Sequence, residues 1–569
     1  MTPLSRRTLI GATGAAALAT APAAAARPDR AADPQRHPGR GHGRPGRPNV
    51  VLLVADDMGW SDITPFGSVE IRTPHLQELA ERGTRMTNAH VSPYCAPTRS
   101  MLLTGQDNHE VGLGNMIELV APEQEGQPGY EGHLNERAVT VARRLQETGY
   151  RTFLSGKWHL GIEQSGDPTR WGFDRAFSML RGESNHYQYV GPNPSPDGPD
   201  LFTLDGGVYE VDEAFYSTTQ FTDTFLEFLD ETPQTQPFFG VLSFTAPHSP
   251  LQAPEEDVAR YRGMFDAGPQ ALADARLARL KELGLVDEDV VPHPIVGAED
   301  WATMTPEERA PWTRRMEVYA AMVDTMDQAI GRVMDALRER GQLEDTIVVF
   351  LSDNGAAGSL REGNRKWGPW IRENFDNSLE NMGRGTSYIS TGPVWAQASM
   401  SPFALFKGFT TDGGTISPTI IAGPGVARGA VSGAYLDVRD IVPTLLRLTG
   451  TPERHYAGAA PIRGRDFSRE LRRPDADREG PRQAQCLEIN GSRSVRLGRW
   501  KALSVSERTG GYLGGSRPSG RWLLFDLEAD PGETTDLAAE QPRVLRRLKR
   551  EYERYAAEVG VVPVGQVSG

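Results

Sequence analysis

The sequence predicts an α/β fold: a large, mostly parallel sheet sandwiched by helices, with a small C-terminal antiparallel sheet and one helix appended. Three observations carry this. Short apolar runs recur, and each ends in a polar loop: Val50 to Ala55 leads into Asp56-Asp57, Arg151 to Ser155 into Gly156-Lys157-Trp158-His159, Phe238 to Phe244 into Ala246-Pro247-His248, and Thr346 to Leu351 into Ser352-Asp353-Asn354. Continuous apolar runs mark strands buried on both faces of a parallel sheet, and such sheets bind ligands beyond the carboxyl ends of their strands. Between the runs lie segments with apolar residues three and four apart, the period of a helix. Beyond about residue 480 the pattern changes to short strands separated by turns.

In chain order, Arg6-Arg7 and a weakly apolar Ala/Gly run ending at Ala24-Ala25-Ala26 read as a twin-arginine export signal over residues 1–26. This predicts passage of the folded protein through the twin-arginine machinery to a periplasmic or secreted location. Residues 27–48, rich in Arg, Gly and Pro, form a linker without material for a core. A catalytic domain is expected over 49–455 and a smaller α+β unit over 456–569.

Thr73-Pro74 should cap a helix running through Leu76, Leu79 and Ala80 to Gly83. A second helix is predicted over 136–148, a long one from about Trp312 to Arg338, and another from Asp440 to Leu448. The tail reads as strands at 484–490, 494–497, 500–504 and 522–527, then a helix from Pro542 to about Ala557.

The net charge of the chain is −14, and residues 1–48 hold eight Arg and two Asp, so the remainder carries −14 − 6 = −20. An acidic body argues against nucleic acid as partner. It also requires that any anionic substrate meet a local island of positive charge. No run of eighteen strongly apolar residues occurs, so no membrane span is expected.

The reading turns on Cys95, one of two cysteines, in Cys95-Ala96-Pro97-Thr98-Arg99 ahead of an apolar segment that stops at Gly105. Pro97 and Gly105 punctuate a helix, which places Cys95 at its N-terminus, where free N–H groups favour an anion or a thiolate. A lone cysteine is by default a buried structural residue. Asp56-Asp57 and Asp353-Asn354 are hard oxygen donors at the ends of two strands; adjacent carboxylates gain from a divalent cation, and an all-oxygen set suits calcium or magnesium. Lys157 and His159, two apart, point the same way if their loop is extended. His248 lies between prolines, and Lys407 precedes the pair Gly413-Gly414.

Cys95-x-Pro97-x-Arg99, closed by Thr104-Gly105, resembles the signature of the type I, formylglycine-dependent sulfatases. The succession Asp56-Asp57, this pentapeptide, Gly156-Lys157-Trp158-His159, Ala246-Pro247-His248, Ser352-Asp353-Asn354-Gly355 and Lys407 with Thr410-x-x-Gly413-Gly414 is similar to that of bacterial arylsulfatases over residues 49–560. The resemblance implies the alkaline phosphatase-like fold and hydrolysis of sulfate esters. It implies conversion of Cys95 to 3-oxoalanine (formylglycine) by a formylglycine-generating enzyme, and one Ca2+ per chain held by Asp56, Asp57, Asp353, Asn354 and the modified side chain at 95. Arg99 and Lys157 would then hold the hydrated aldehyde, Lys157 and Lys407 the sulfate oxygens, while His159 and His248 carry protons, with His248 the acid to the leaving alcohol. A residue cannot be both formylglycine and half of a disulfide, so Cys486 is expected to be an unpaired thiol.

One departure stands out. Where the family continues past Gly413-Gly414 with an aliphatic residue and an arginine, this chain has Thr415-Ile416. The rival readings are a phosphodiesterase or phosphonate monoester hydrolase using the same aldehyde, and a non-catalytic calcium-binding exported protein. Tyr388 and Trp395 serve equally as an aryl pocket or as packing.

Overall fold

The computed structural model describes residues 46–565 except 164, 165, 190, 192, 507 and 509–519. The signal segment and residues 27–45 of the linker lie outside the described residues. Arg47, assigned above to the linker, is instead anchored: its guanidinium lies 4.4 Å from the centre of the Tyr150 ring and donates to the Thr148 carbonyl at 2.9 Å.

Among the described residues the main sheet has ten strands. At its centre Asn49–Ala55 runs parallel to Thr346–Ser352 on one side and to Phe238–Ser243 on the other. Arg151–Lys157 and Arg175–Met179 continue the parallel set. The three central strands are buried along their whole length, as their unbroken apolar sequences require. Antiparallel Phe202–Leu204 and Gly207–Tyr209 finish one edge; toward the other, Thr419–Ala422 runs antiparallel to Thr346–Ser352 and to Gly83–Met86, and Ala430–Ser432, parallel to Gly83–Met86, is the edge strand. The sequence reading missed these strands, which are short and interrupted by Gly, Thr, Ser or Arg.

Helices cover both faces. The longest, Pro306–Glu339, begins six residues before the expected start because Thr305 and Glu308 form a reciprocal capping box; Pro311 sits in the early turns and does not end it. Pro74–Arg82 forms as expected, but Thr73 does not cap it with its side chain. Asp327 of the long helix accepts from the backbone N–H groups of His75 and Leu76 at 3.0 and 2.8 Å instead. The helix predicted over 136–148 is shortened to Val141–Gln146, started by the Thr140 hydroxyl. Ile441–Leu448 forms after a single 3₁₀ turn.

The C-terminal strands Gln485–Ile489, Ser492–Leu497, Trp500–Ser504 and Leu523–Asp526 make an antiparallel sheet in sequence order, and Pro542–Val559 packs on it. Two buried charge clusters join this unit to the main sheet domain. His109 lies between Asp107 and Glu488, 3.1 Å from each. Burial opposes its charge, but the two carboxylates outweigh that and lift the imidazole to about 9. Asp412 meets Lys501 at 2.7 Å and Arg478 at 3.1 Å. Ile416, in place of the expected arginine, is fully buried in the core. The positive partners of Asp412 are Arg478, Lys501 and, at 3.7 Å, Arg496.

Candidate active site

The four chemistry-bearing loops converge because their strands are parallel and end at the same edge. Asp56-Asp57 follows Asn49–Ala55, Lys157 closes Arg151–Lys157, His248 follows Phe238–Ser243, and Asp353-Asn354 follows Thr346–Ser352. Cys95 opens the helix Cys95–Thr104, and Gly105, in the left-handed region at φ 69°, terminates it. The side chains of Asp56, Asp57, Cys95, Arg99, Lys157, His159, His248, Asp353 and Asn354 are all buried, and Lys407 joins them.

Arg99 is the hub. Its Nε donates to Asp353 Oδ2 at 2.7 Å, and its Nη2 lies 2.7 Å from the same oxygen. Its Nη1 donates to the Lys157 carbonyl at 3.0 Å and to Ser243 Oγ at 2.5 Å. One guanidinium thereby ties the ends of three strands together, which its planar fork allows and a lysine would not. Lys157 Nζ lies 2.6 Å from Asp56 Oδ2, and Lys407 Nζ lies 2.5 Å from Asp57 Oδ1 and 3.6 Å from Cys95 Sγ. Asn354 Nδ2 donates to Asp57 Oδ1 at 2.7 Å.

Burial decides the cysteine. A helix N-terminus favours an anion or a thiolate, but burial pushes the Cys95 thiol up to about 11, and Lys157 and Lys407 only partly offset it. Cys95 is a neutral thiol as encoded. Cys486 is likewise free and buried. Asp57 is held well below the usual carboxylate range: burial opposes its charge, and Lys407, then His248 and Lys157, outweigh that. Asp353 moves the other way, raised by burial and by the neighbouring Asp56.

The residues fit a hard divalent cation. Asp56 Oδ1, Asp57 Oδ2 and Asn354 Oδ1 are buried oxygens without a hydrogen-bond partner, and such atoms are rarely left so. One ligand atom from each of Asp56, Cys95 and Asp353, and again from each of Asp56, Asp57 and His248, lies within 4.8 Å of the others. The four oxygen-bearing residues expected to hold a metal are thus brought together beside residue 95.

The two histidines are held differently. His248 Nδ1 donates to the Ser249 carbonyl at 2.5 Å, which directs Nε2 to Asp57 Oδ2 at 3.4 Å. His186 fixes that loop from behind, with Nε2 3.0 Å from the His248 carbonyl and Nδ1 2.8 Å from Ser217 Oγ. The loop at His159 is not extended: its φ is 55°, in the left-handed region, so the alternation that would align His159 with Lys157 in an extended loop does not hold. The ring packs on Gly182, where a Cβ would come within 2.5 Å of it, and Nε2 lies 3.7 Å from Glu118.

A cavity of about 400 Å³ reaches Cys95, His159, His248 and Lys407 and is lined also by Tyr94, Glu118, Arg181 and Arg361. Trp395 is core, its indole N–H donating to the Trp312 carbonyl at 3.0 Å. Tyr388 donates to Glu183 at 3.2 Å and lines an adjoining cavity. Glu118 lies in an isolated 3₁₀ turn, Ile117–Leu119, and Arg181 and His186 in irregular chain, so no periodicity marked them in the sequence. Ser243 could have been found, as the last polar residue of a strand already recognised.

A parallel sheet delivering three carboxylates, three cations and two imidazoles to one buried point defines a hydrolase of anionic esters. Comparison with known proteins narrows the class. The Sulfatase family model matches residues 48–451. An uncharacterized sulfatase of Schizosaccharomyces pombe is 41% identical over 545 residues, covering 91% of this chain and 94% of that one. An arylsulfatase of Klebsiella aerogenes is 39% identical over 423 residues, covering 73% of this chain and 89% of the relative. The solved structure of Ps i-CgsB in complex with k-i-k-neocarrahexaose has the same fold, with a TM-score of 0.61 at 23% identity over 90% of this chain and 93% of that one. The chain belongs to the sulfatase family, and its activity is that of a sulfuric ester hydrolase.

Proposed function

We propose that the chain is an arylsulfatase in which Cys95, converted to formylglycine, is the nucleophile and a calcium ion sits on Asp56, Asp57, Asp353 and Asn354. The observation that carries this is the placement of Cys95 Sγ beside Lys407 and among buried carboxyl and amide oxygens that lack partners. A neutral buried thiol is a poor nucleophile. The hydrated aldehyde would supply one hydroxyl to attack sulfur and a second that, on losing its proton, re-forms the carbonyl as the carbon–oxygen bond to sulfate breaks. Bound calcium would neutralise acid charge and polarise a sulfate oxygen. Three acids here face three bases, Arg99, Lys157 and Lys407, so two further positive charges give the island that a sulfate monoester needs within an acidic body.

The chain's own residues then divide the work. Arg99 orients the side chain at 95 through its grip on Asp353. Lys157 and Lys407 lie where charge spreads over the sulfate oxygens. His159, with Glu118 beside it, takes the proton of the second hydroxyl. His248, whose Nδ1–H is committed to the Ser249 carbonyl, presents Nε2 to the leaving oxygen. Burial pushes this imidazole down to about 3 in the free protein, so it is neutral until an anionic ester beside it favours the imidazolium. Proton loading is thereby coupled to binding.

Two experiments test these assignments. Mass spectrometry of the peptide containing residue 95, from protein made with a formylglycine-generating enzyme, should show the aldehyde; an unmodified cysteine in fully active enzyme would contradict it. His248→Ala should slow esters of weakly acidic alcohols by about 10²- to 10⁴-fold and those of acidic nitrophenols far less, because a good leaving group needs no proton. An equal loss across a leaving-group series would remove His248 from that role. Export through the twin-arginine pathway, after modification inside the cell, completes the reading; it is supported by Arg6-Arg7 and the Ala-rich segment that follows.

A further inference from the structure

The wall of the catalytic cavity carries a charge that the hydrolytic machinery does not use. Arg181 stands two residues beyond the strand Arg175–Met179, and the backbone between is fixed by the bond from Leu180 N–H to the Leu201 carbonyl at 3.0 Å. It lines the cavity together with Glu118, Glu183, Asp197 and Arg361. The acids of this wall are answered by other groups. Glu183 pairs with Arg361 at 2.6 Å, Asp197 pairs with Lys366, and Glu118 faces His159.

Arg181 has no such answer. Among the described residues no carboxylate lies in ion-pair range of its guanidinium. Nη1 donates to the Asp197 carbonyl, and Nε is buried without a partner. The turn around it is shaped to its form: Gly198, at φ 100°, passes so close that a Cβ there would stand 2.9 Å from Nη2, and Ser195 Oγ closes the turn on the Gly198 carbonyl at 2.7 Å. The nearby Asp200, lifted to about 6 by burial, still carries most of its charge at neutral pH, but it stands outside ion-pair range of the Arg181 guanidinium and is the site's nearest competing anion. A fixed, partly desolvated guanidinium with free donors, opening on the space that the alcohol half of an ester would occupy, is a receptor for an oxyanion.

We propose that Arg181 anchors a subsite for a second anionic group, a carboxylate or a further sulfate, on the alcohol half of the substrate. The assignment rests on the sulfate-ester reading above and deepens it: the preferred ester carries two negative charges, one at the scissile sulfate and one held by Arg181. Glu183 and Asp197 are each matched by a cation and Glu118 is directed at the His159 imidazole, so among the described residues no carboxylate of this wall pairs with Arg181, and a neutral leaving group would leave its guanidinium without one.

The test compares 3- and 4-carboxyphenyl sulfate with their carboxamide isosteres, which match them in shape and lack the charge, and adds benzene-1,3-disulfate as the sulfate arm. In the unaltered enzyme, kcat/KM should favour the charged member by about tenfold, mainly through KM. Arg181→Met should bring that ratio to within about threefold of one, and Arg181→Lys should restore part of it. Preference for the carboxylates alone, or for the disulfate alone, identifies which oxyanion the subsite takes. Equal kcat/KM for charged and neutral esters in the unaltered enzyme, or a preference that survives Arg181→Met, would overturn the proposal. Calorimetric binding of the same esters to Cys95→Ala gives the comparison without turnover. A retained binding preference with no hydrolysis by the modified enzyme would strike the aryl sulfate reading alone, and equal binding would strike the subsite.

Discussion

Cys95→Ala should lower kcat/KM for an aryl sulfate by roughly six orders of magnitude, the loss that accompanies removal of a nucleophile from a preorganised site. The fold should survive, because Cys95 is a small buried side chain and Arg99, not Cys95, ties the strand ends together. Cys95→Ser separates two causes of inactivity. A serine keeps a hydroxyl beside Lys407, yet after one attack on sulfur it would have no second hydroxyl with which to expel sulfate. In a host that converts only cysteine, the serine variant should release no more than one equivalent of phenol per active site. Sustained turnover by Cys95→Ser would show that the aldehyde is not needed.

Removal of divalent ions should have the next largest effect. Dialysis against a calcium chelator should reduce kcat/KM by about a thousandfold, since stabilising the charge that builds up at a buried transition state is the main source of rate enhancement in a site of this kind. The unpartnered oxygens of Asp56, Asp57 and Asn354 set the direction of a second effect. Calcium that binds only the folded chain adds about 2.7 kcal/mol of stability when its free concentration is a hundred times Kd, so Tm should rise with added calcium. Asp57→Asn should abolish that rise while leaving a folded protein, because its oxygen still accepts from Asn354 Nδ2. Unchanged rate and unchanged Tm in chelator would exclude the metal from catalysis; recovery with magnesium as complete as with calcium would change its identity.

The positions of most site residues were legible because the chemistry follows the strands. Asp56-Asp57, Lys157, His248 and Asp353-Asn354 each come just past an apolar run, and a parallel sheet must bring such positions to one edge. Cys95, Arg99 and Lys407 were legible only through motif spacing, since nothing in local periodicity distinguishes them. Their state was not legible. The pull of a helix terminus toward a thiolate is overridden at Cys95 by burial, a property of the assembled core rather than of the terminus. The extended loop expected at His159 is overridden by its left-handed backbone, which Gly182 accommodates from a different segment.

Outside the site the same distinction holds. The parallel strands that carry the chemistry announced themselves, whereas Arg175–Met179 did not, and Gly83–Met86 and Thr419–Ala422 take their conformation from each other and from Thr346–Ser352. The helix over 136–148 lost its first turn because Thr140, not an earlier residue, supplies the cap. Arg181 belongs to irregular chain and Glu118 to an isolated 3₁₀ turn, and their meaning exists only in the folded cavity.

Sulfur and phosphorus chemistry separate on kcat/KM for an aryl sulfate against an aryl phosphate diester of the same phenol, measured on enzyme whose residue 95 has been verified as the aldehyde. An arylsulfatase should prefer the sulfate by orders of magnitude and lose that activity in Cys95→Ala. A preference for the diester would contradict the assignment, leaving fold and site intact but moving the chemistry from sulfur to phosphorus.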